Sequence, residues 1–396
     1  MLLKVQKLSE KYYPQIVNLR EHFHQFPELS FEEFQTSQKV CEVLENAGIS
    51  YKKGIAKTGV LAEIYGTKKS DEKPKCVLLR GDMDALPVFE ESGVSFASKI
   101  AGKMHACGHD GHTAGLLGTA LILNELKDEF SGCVKFMFQP AEENYGGAKP
   151  MIEEGVLENP YVDAVFGCHL WGLMQENTAQ IISGAMMAGV DSFDLKFIGR
   201  GGHGAHPHTT IDSVLMAARF ITSVQSVVSR RLKPISAGVI SVGSVQAGSS
   251  YNIIAQEAFL KGTVRFLDDE SQAILQKGVE DVAKAVALEF GGSYELDYHR
   301  EYPPLINDEF GAKIAQKAFL QVLGEKNIIT KAEADMGAED FAFLTRARKG
   351  AYVFVGIAKD KNKPVLHHSP NFAWESENLK VLMQGEAMMA LEFLNS

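Results

Sequence analysis

Chemistry concentrates in the run Met104-His105-Ala106-Cys107-Gly108-His109-Asp110-Gly111-His112, where three histidines and a cysteine fall within eight residues. The run opens an apolar helical pattern (Leu116, Leu117, Ala120, Leu121, Leu123). A thiolate and a neutral imidazole two residues apart reach one divalent ion, or flank a pair of ions when other ligands arrive from elsewhere in the fold. Any one of these residues alone is more simply a packed cysteine or a surface histidine. Clustered, with Gly108 and Gly111 where backbone must pass close to something, they point to a metal site. Two ligands do not complete one, so distant segments must supply the others and a base.

The elements that position those segments are legible as an alternation. From about residue 59, β-rich runs at 60–65, 76–79, 133–138 and 163–168 alternate with helical patterns after 111 and near 147–155. This predicts an α/β layer with a largely parallel sheet flanked by helices. Each candidate polar residue follows a strand: Asp82 and Asp84 after VLLR, Glu142 and Glu143 after VKFMFQPA, His169 after AVFGC, and the pair His367-His368 after the apolar run 351–355. Ligands of open α/β sheets bind beyond the carboxyl ends of the strands, so these residues can converge with Cys107 and His109 on one crevice.

Cys107, His109, Glu143, His169 and one histidine of the 367–368 pair make five side-chain ligands. That is more than one tetrahedral ion uses and suits two ions sharing a bridge. With Glu143 spent on metal, the adjacent Glu142 is the natural general base. Consecutive acids are often only a solvated pair, but these follow an apolar strand and Pro140. Asp84 and Asp110 are placed to orient ligating imidazoles.

Around this core, residues 8–24 read as an amphipathic helix, and Ser30 with Glu33 as a capping box opening a second helix that ends at Gly48. His24 to Ser30 reads as a turn between them, stopped by Pro27. Between 185 and 299 the composition shifts to a βαββαβ order, which predicts a small ferredoxin-like α+β domain inserted in a first domain of 1–184 and 300–396. The run Gly199-Arg200-Gly201-Gly202-His203-Gly204 formally matches G-x-G-x-x-G. A dinucleotide reading is rejected because no Asp or Glu occurs from Ser213 to Gln256, where one is expected for the ribose. A helix at 309–323 then resumes the first pattern.

The bulk numbers bound the rest. At 396 residues and 45% hydrophobic composition the chain is globular with two or three domains. A formal net charge of −10 without long runs of one sign argues against nucleic-acid or membrane partners and for a small molecule. No stretch approaches a continuous apolar span, and the first residues lack a signal-peptide pattern, so a cytoplasmic location is expected. Five cysteines without regular spacing fit a reducing compartment.

Six segments, in order, carry a family resemblance: His24-Gln25-Phe26-Pro27-Glu28-Leu29-Ser30, Gly81-Asp82-Met83-Asp84-Ala85-Leu86-Pro87, Met104 to Asp110, Gln139-Pro140-Ala141-Glu142-Glu143, Gly201-Gly202-His203-Gly204-Ala205-His206-Pro207-His208 and Met336-Gly337-Ala338-Glu339-Asp340-Phe341. Together they resemble the M20 metallopeptidase family, and within it the amidohydrolases acting on N-acyl amino acids, such as aminoacylase and hippurate hydrolase. The resemblance implies a homodimeric amide hydrolase with two divalent ions per subunit (Zn, Mn, Co or Ni) and an inserted lid or dimerisation domain. Carried over by position, the ligands are Cys107, His109, Glu143, His169 and His368, the last because His368-Ser369-Pro370 satisfies the family's His-x-Pro. Glu142 is the base, with Asp84 beside it in the catalytic group. His203 looks like the residue that polarises the scissile carbonyl across the dimer, and Asn252 and Arg265 like those that hold the substrate carboxylate. The implied substrate is an N-acetyl, N-benzoyl or similar amino acid, cleaved to a carboxylic acid and a free amino acid. The alternatives are a carboxypeptidase or dipeptidase on the same site, and a non-catalytic metal- or substrate-binding protein.

Overall fold

In the computed structural model, which describes residues 1–144 and 146–396, the chain forms two compact units. The first comprises Met1–Met186, Ile306–Glu333 and Asp340–Ser396, and the second Met187–Leu305 with Ala334–Glu339.

The first unit is built on an eight-stranded sheet in the order Ser50–Ile55, Gly59–Tyr65, Cys133–Gln139, Cys76–Asp82, Ala164–Gln175, Lys349–Ala358, Ala179–Gln180, Ile328–Ile329. Its four central strands, Cys133–Gln139 through Lys349–Ala358, run parallel. Antiparallel pairings flank them on both sides, so the sheet is mixed rather than largely parallel. Every residue of Cys76–Asp82 and Cys133–Gln139 is buried, as expected of strands covered on both faces. One cover is the helix His109–Glu125, buried from His109 to Leu123, against which Leu2–Gln25 and Asn378–Leu394 pack. Close approach is made at Gly111, where a Cβ would stand 2.5 Å from the Trp374 ring and 2.6 Å from Leu170.

Several boundaries differ from the sequence reading, for tertiary reasons. The first helix starts at Leu2, and the strand Ser50–Ile55 and the helix Asn378–Leu394 add to the elements expected from the sequence. The strand expected at 163–168 runs to Gln175, because Lys349–Ala358 pairs along its length, so His169 lies inside a strand and not past its end. Likewise Asp82 is the last residue of its strand. The capping box does not form. The second helix starts at Phe34, and the carboxylate of Glu28 takes the amides of Gln35 and Thr36 at 3.1 and 2.9 Å. Ser30 and Glu33 are drawn instead to Asp84 and Ala141, deeper in the unit.

The second unit carries a four-stranded antiparallel sheet in the order Gly238–Ala247, Glu257–Phe266, Gly189–Ile198, Ser293–Tyr302. The helices Ser213–Arg231 and Asp269–Phe290 pack on it, each capped by an aspartate side chain, Asp212 and Asp268. Its core is its own, centred on Phe193, Phe197, Phe220 and Leu260.

Candidate metal centre

Loops beyond the central strands, one position inside the strand Ala164–Gln175 and the start of one helix bring the expected ligands of the first unit together. Gly108, at φ 96°, turns the chain into the helix His109–Glu125, a conformation that suits a residue without Cβ. His109 is thereby aimed back at the strand end. Its Nδ1 lies 2.9 Å from the carbonyl oxygen of Asp84, so Nδ1 carries the proton and Nε2 keeps a lone pair. His169 is set in the same way, its Nδ1 donating to the Leu170 carbonyl at 2.9 Å.

The free donor atoms then face one another. Cys107 Sγ is 3.5 Å from His169 Nε2, Glu143 Oε1 is 3.8 Å from His109 Nε2, and His368 Nε2 is 3.4 Å from Glu143 Oε1. Donors sharing one tetrahedral ion at bond lengths of about 2.0–2.3 Å stand roughly 3.3–3.7 Å apart. Ligand atoms of Cys107, His109 and His169 lie within 4.8 Å of one another, as do those of Cys107, Glu143 and His368, so Cys107 belongs to both groups. Among the described residues the buried Nε2 of His109 has no hydrogen-bond partner. A buried lone pair left open beside carboxylates is what a cation would satisfy, and the donor set fits divalent metal ions.

The electrostatics agree. Burial pushes the Cys107 thiol well up, and Glu143, Glu142 and Asp82 add to it. Burial opposes charge on His109, yet Asp82, Asp84 and Glu143 outweigh it and raise the imidazole to about 10, so the Nε2 lone pair takes a proton wherever no metal ion occupies it. Burial drives His169 well down, with His112 and His367 adding to the effect. Excess carboxylate on one side and neutral imidazole on the other is a balance that a bound cation relieves.

Of the doubled histidines, His367 accepts a hydrogen bond at Nε2 from the Gly172 amide at 2.9 Å and turns Nδ1 toward Cys107 Sγ at 3.8 Å. His368, at φ 59°, is pinned by its own amide to the Ala106 carbonyl at 2.8 Å and points its Nε2 at Glu143. Glu142 is buried, with a carboxylate oxygen within 4.8 Å of ligand atoms of His109 and Glu143. Asp84 grips the backbone here: Oδ1 accepts from Glu142 N and Oδ2 from Glu143 N, both at 3.0 Å, while Ser30 Oγ donates to Oδ2 at 2.7 Å. Asp110 does not face a ligating imidazole. Its Oδ2 holds His24 Nδ1 at 2.9 Å and Arg20 Nε at 3.2 Å, tying the first helix to the one that begins at His109.

Sequence reasoning missed the support beneath. His112 donates from Nδ1 to Asp82 Oδ1 at 2.7 Å and accepts at Nε2 from Leu170 N at 2.9 Å, which leaves it no free donor for a metal. Arg80 binds Asp82 Oδ2 at 2.5 Å, Gln139 Oε1 at 2.8 Å and Asp340 Oδ1 at 2.8 Å, all buried. The only signal was position: His112 one helical turn after His109, and Arg80 two residues before Asp82 on the same strand face.

His203, Asn252 and Arg265 belong to the second unit. His203 pairs with Ile253 in a short antiparallel bridge, and Gly204 N donates to the Asn252 carbonyl at 2.8 Å, so the first two adjoin. Arg265 stands near the carboxyl end of Glu257–Phe266, half-buried between Val239 and Val190.

Comparison with known proteins gives a consistent result. The model of peptidase family M20/M25/M40 matches residues 78–391. An N-acyl-L-amino acid amidohydrolase of Geobacillus stearothermophilus is 40% identical over 309 residues, 78% of this chain and 82% of that protein. The N-acetylcysteine deacetylase of Bacillus subtilis is 36% identical over 389 residues, 98% and 99% of the two chains. Among solved structures, the Bacillus subtilis YxeP protein, described as a dinuclear metal binding peptidase from the M20 family, aligns with a TM-score of 0.84 at 33% identity, covering 98% of this chain and 99% of that one. No helix among the described residues is long and apolar enough to cross a membrane.

Proposed function

Because the chain belongs to peptidase family M20/M25/M40 and is a metal-dependent amidohydrolase, we propose that it cleaves the amide bond of N-acyl amino acids, releasing a carboxylic acid and a free amino acid. The observation that carries this reading is the set of donor atoms of Cys107, His109, Glu143, His169 and His368, with the Glu142 carboxylate against it. Two relatives named for acting on acyl amino acids support the substrate class.

Two divalent ions are the best occupants of the donor set, with Cys107 common to both groups; a thiolate favours zinc, and imidazole and carboxylate also suit manganese, cobalt or nickel. When bound, such ions polarise the scissile carbonyl and make a water acidic. Glu142 takes the proton of the attacking water at a carboxylate oxygen and returns it to the leaving nitrogen. Its burial keeps bulk water from competing for that proton. Asp84, through the Glu142 and Glu143 amides, holds base and ligand at a constant separation. His203 stabilises the developing oxyanion, and Asn252 and Arg265 hold the substrate carboxylate, a task to which the guanidinium fork is suited. We read the second unit as a ferredoxin-like lid and dimerisation domain. Its βαββαβ order supports this, as do the exposed Val239, Val245 and Phe259 on its sheet.

The test is hydrolysis of N-acetyl, N-benzoyl and N-formyl amino acids beside dipeptides, by metal-stripped protein with Zn²⁺ or Mn²⁺ restored. Metal-dependent release of amino acid from one acyl class is expected, with Glu142→Gln reducing kcat by about 10²- to 10⁴-fold while metal stays bound. The likeness to a chain described as a peptidase favours a second reading, and cleavage of dipeptides alone would move the function to a carboxypeptidase or dipeptidase.

A further inference from the structure

Three consecutive amides of the loop that carries Glu142 and Glu143 end on two buried carboxylates. Glu142 N and Glu143 N go to Asp84, and Ala141 N goes to Glu33 Oε1 at 2.9 Å. Ala141 is left-handed at φ 56°, a conformation disfavoured for a residue with a Cβ and kept only where the surroundings over-determine it. The same Glu33 Oε1 accepts the amide of Phe31 at 2.9 Å, and Phe31 is itself left-handed at φ 62°. Oε2 accepts from Thr58 Oγ1 at 2.6 Å, which fixes the plane of the carboxyl group. Glu33 has no exposed surface, so no solvent exchanges for these bonds.

From this geometry we propose that Glu33 is a positioning residue for Glu142. By holding Ala141 N it locks the dihedrals of the residue immediately before the base, and these dihedrals set where the base's side chain points. The proposal rests on the reading of Glu142 as base. It gives the buried acid of the Phe31-Glu32-Glu33 stretch a task that neither the helix cap expected from the sequence nor the ligand set contains.

Reach and charge separate the outcomes. Glu33→Asp keeps the charge but withdraws the carboxyl group by one methylene, about 1.5 Å. Glu33→Gln keeps the reach: the amide oxygen serves Ala141 and Phe31, and its NH₂ meets the Thr58 hydroxyl, which turns from donor to acceptor. Kinetics are measured on the metal-restored enzyme, metal content by elemental analysis, and hydrogen exchange on the segment 139–144 of the metal-free protein. For Glu33→Asp the expected result is a kcat lower by about 10- to 100-fold with KM and metal content unchanged, and faster exchange at 141–143. Glu33→Gln is expected to stay close to the parent in all three measurements. Wild-type exchange and kcat in Glu33→Asp would overturn the proposal, and so would a Glu33→Gln enzyme as impaired as Glu33→Asp. Should Glu33→Asp lack a cooperative melt, the metal-free parent decides: an Ala141 amide held by the buried Glu33 Oε1 exchanges slowly, and exchange there as fast as in an open loop overturns the proposal equally. Glu142→Gln is run alongside. If it keeps full activity, the base reading fails on its own, while the exchange data still report whether Glu33 holds the loop.

Discussion

Replacing Glu386 by Gln should make the protein more stable at alkaline pH and leave it nearly unchanged in acid. Glu386 sits in the helix Asn378–Leu394, 2% exposed, facing the helix that carries His109. Its Oε2 is 2.7 Å from Thr119 Oγ1, and that hydroxyl also lies 3.0 Å from the Gly115 carbonyl. A protonated Glu386 donates to Thr119, which donates to Gly115, and every group is satisfied. An ionised one competes with Gly115 for a single hydroxyl proton. Burial accordingly lifts the carboxyl from 4.5 to about 8, with Thr119 pulling weakly the other way. An acid whose folded value is raised holds its proton more tightly in the native state. Stability is therefore full below the unfolded value near 4.5 and is lost as pH rises through about 8. The whole loss is about 5 kcal/mol, and the part falling between roughly pH 5.5 and pH 9 is about 3 kcal/mol. Urea unfolding of the metal-free protein at those two values measures it. Glu386→Gln, which does not titrate, should lose about 3 kcal/mol less than the parent across the interval. Parallel pH profiles for the two proteins would refute the reasoning.

Asp84→Asn places an NH₂ group against the amides of Glu142 or Glu143 and should weaken metal binding by about 10- to 100-fold, read by competition with a chromophoric chelator. Arg80→Leu strips a cation from the buried Asp82 and Asp340 and should cost about 3–5 kcal/mol in urea unfolding, far more than a surface charge. Gly108→Ala forces a Cβ into φ 96° and should lower stability by about 1–2 kcal/mol, with metal affinity falling as His109 is re-aimed; an unchanged melt would show that the turn carries no strain.

What the amino-acid sequence determined by itself was the chemistry and its rough placement. Cys107 and His109 two residues apart, and Glu142 beside Glu143 after an apolar strand, need only local spacing to be read. The parallel strands Cys76–Asp82 and Cys133–Gln139 announce themselves through the apolar runs Cys76–Leu79 and Phe136–Phe138, as strands covered on both faces do, although the buried Arg80, Asp82, Lys135 and Gln139 interrupt or end the pattern. Tertiary structure decided where competing hydrogen-bond partners lie, which no local pattern encodes. Ser30 and Glu33 have the spacing of a helix cap, but the buried Ala141 amide and the Asp84 carboxylate offered bonds that water cannot replace, and Glu28 took over the helix end. His169 is internal to its strand because a partner strand from the far end of the chain extends the ladder. Between His367 and His368 the difference is one backbone amide, that of Gly172, which occupies Nε2 of the first and leaves the second facing Glu143. A histidine's type is written in the chain, but which of its nitrogens is free is set by whatever polar group the fold brings against the other.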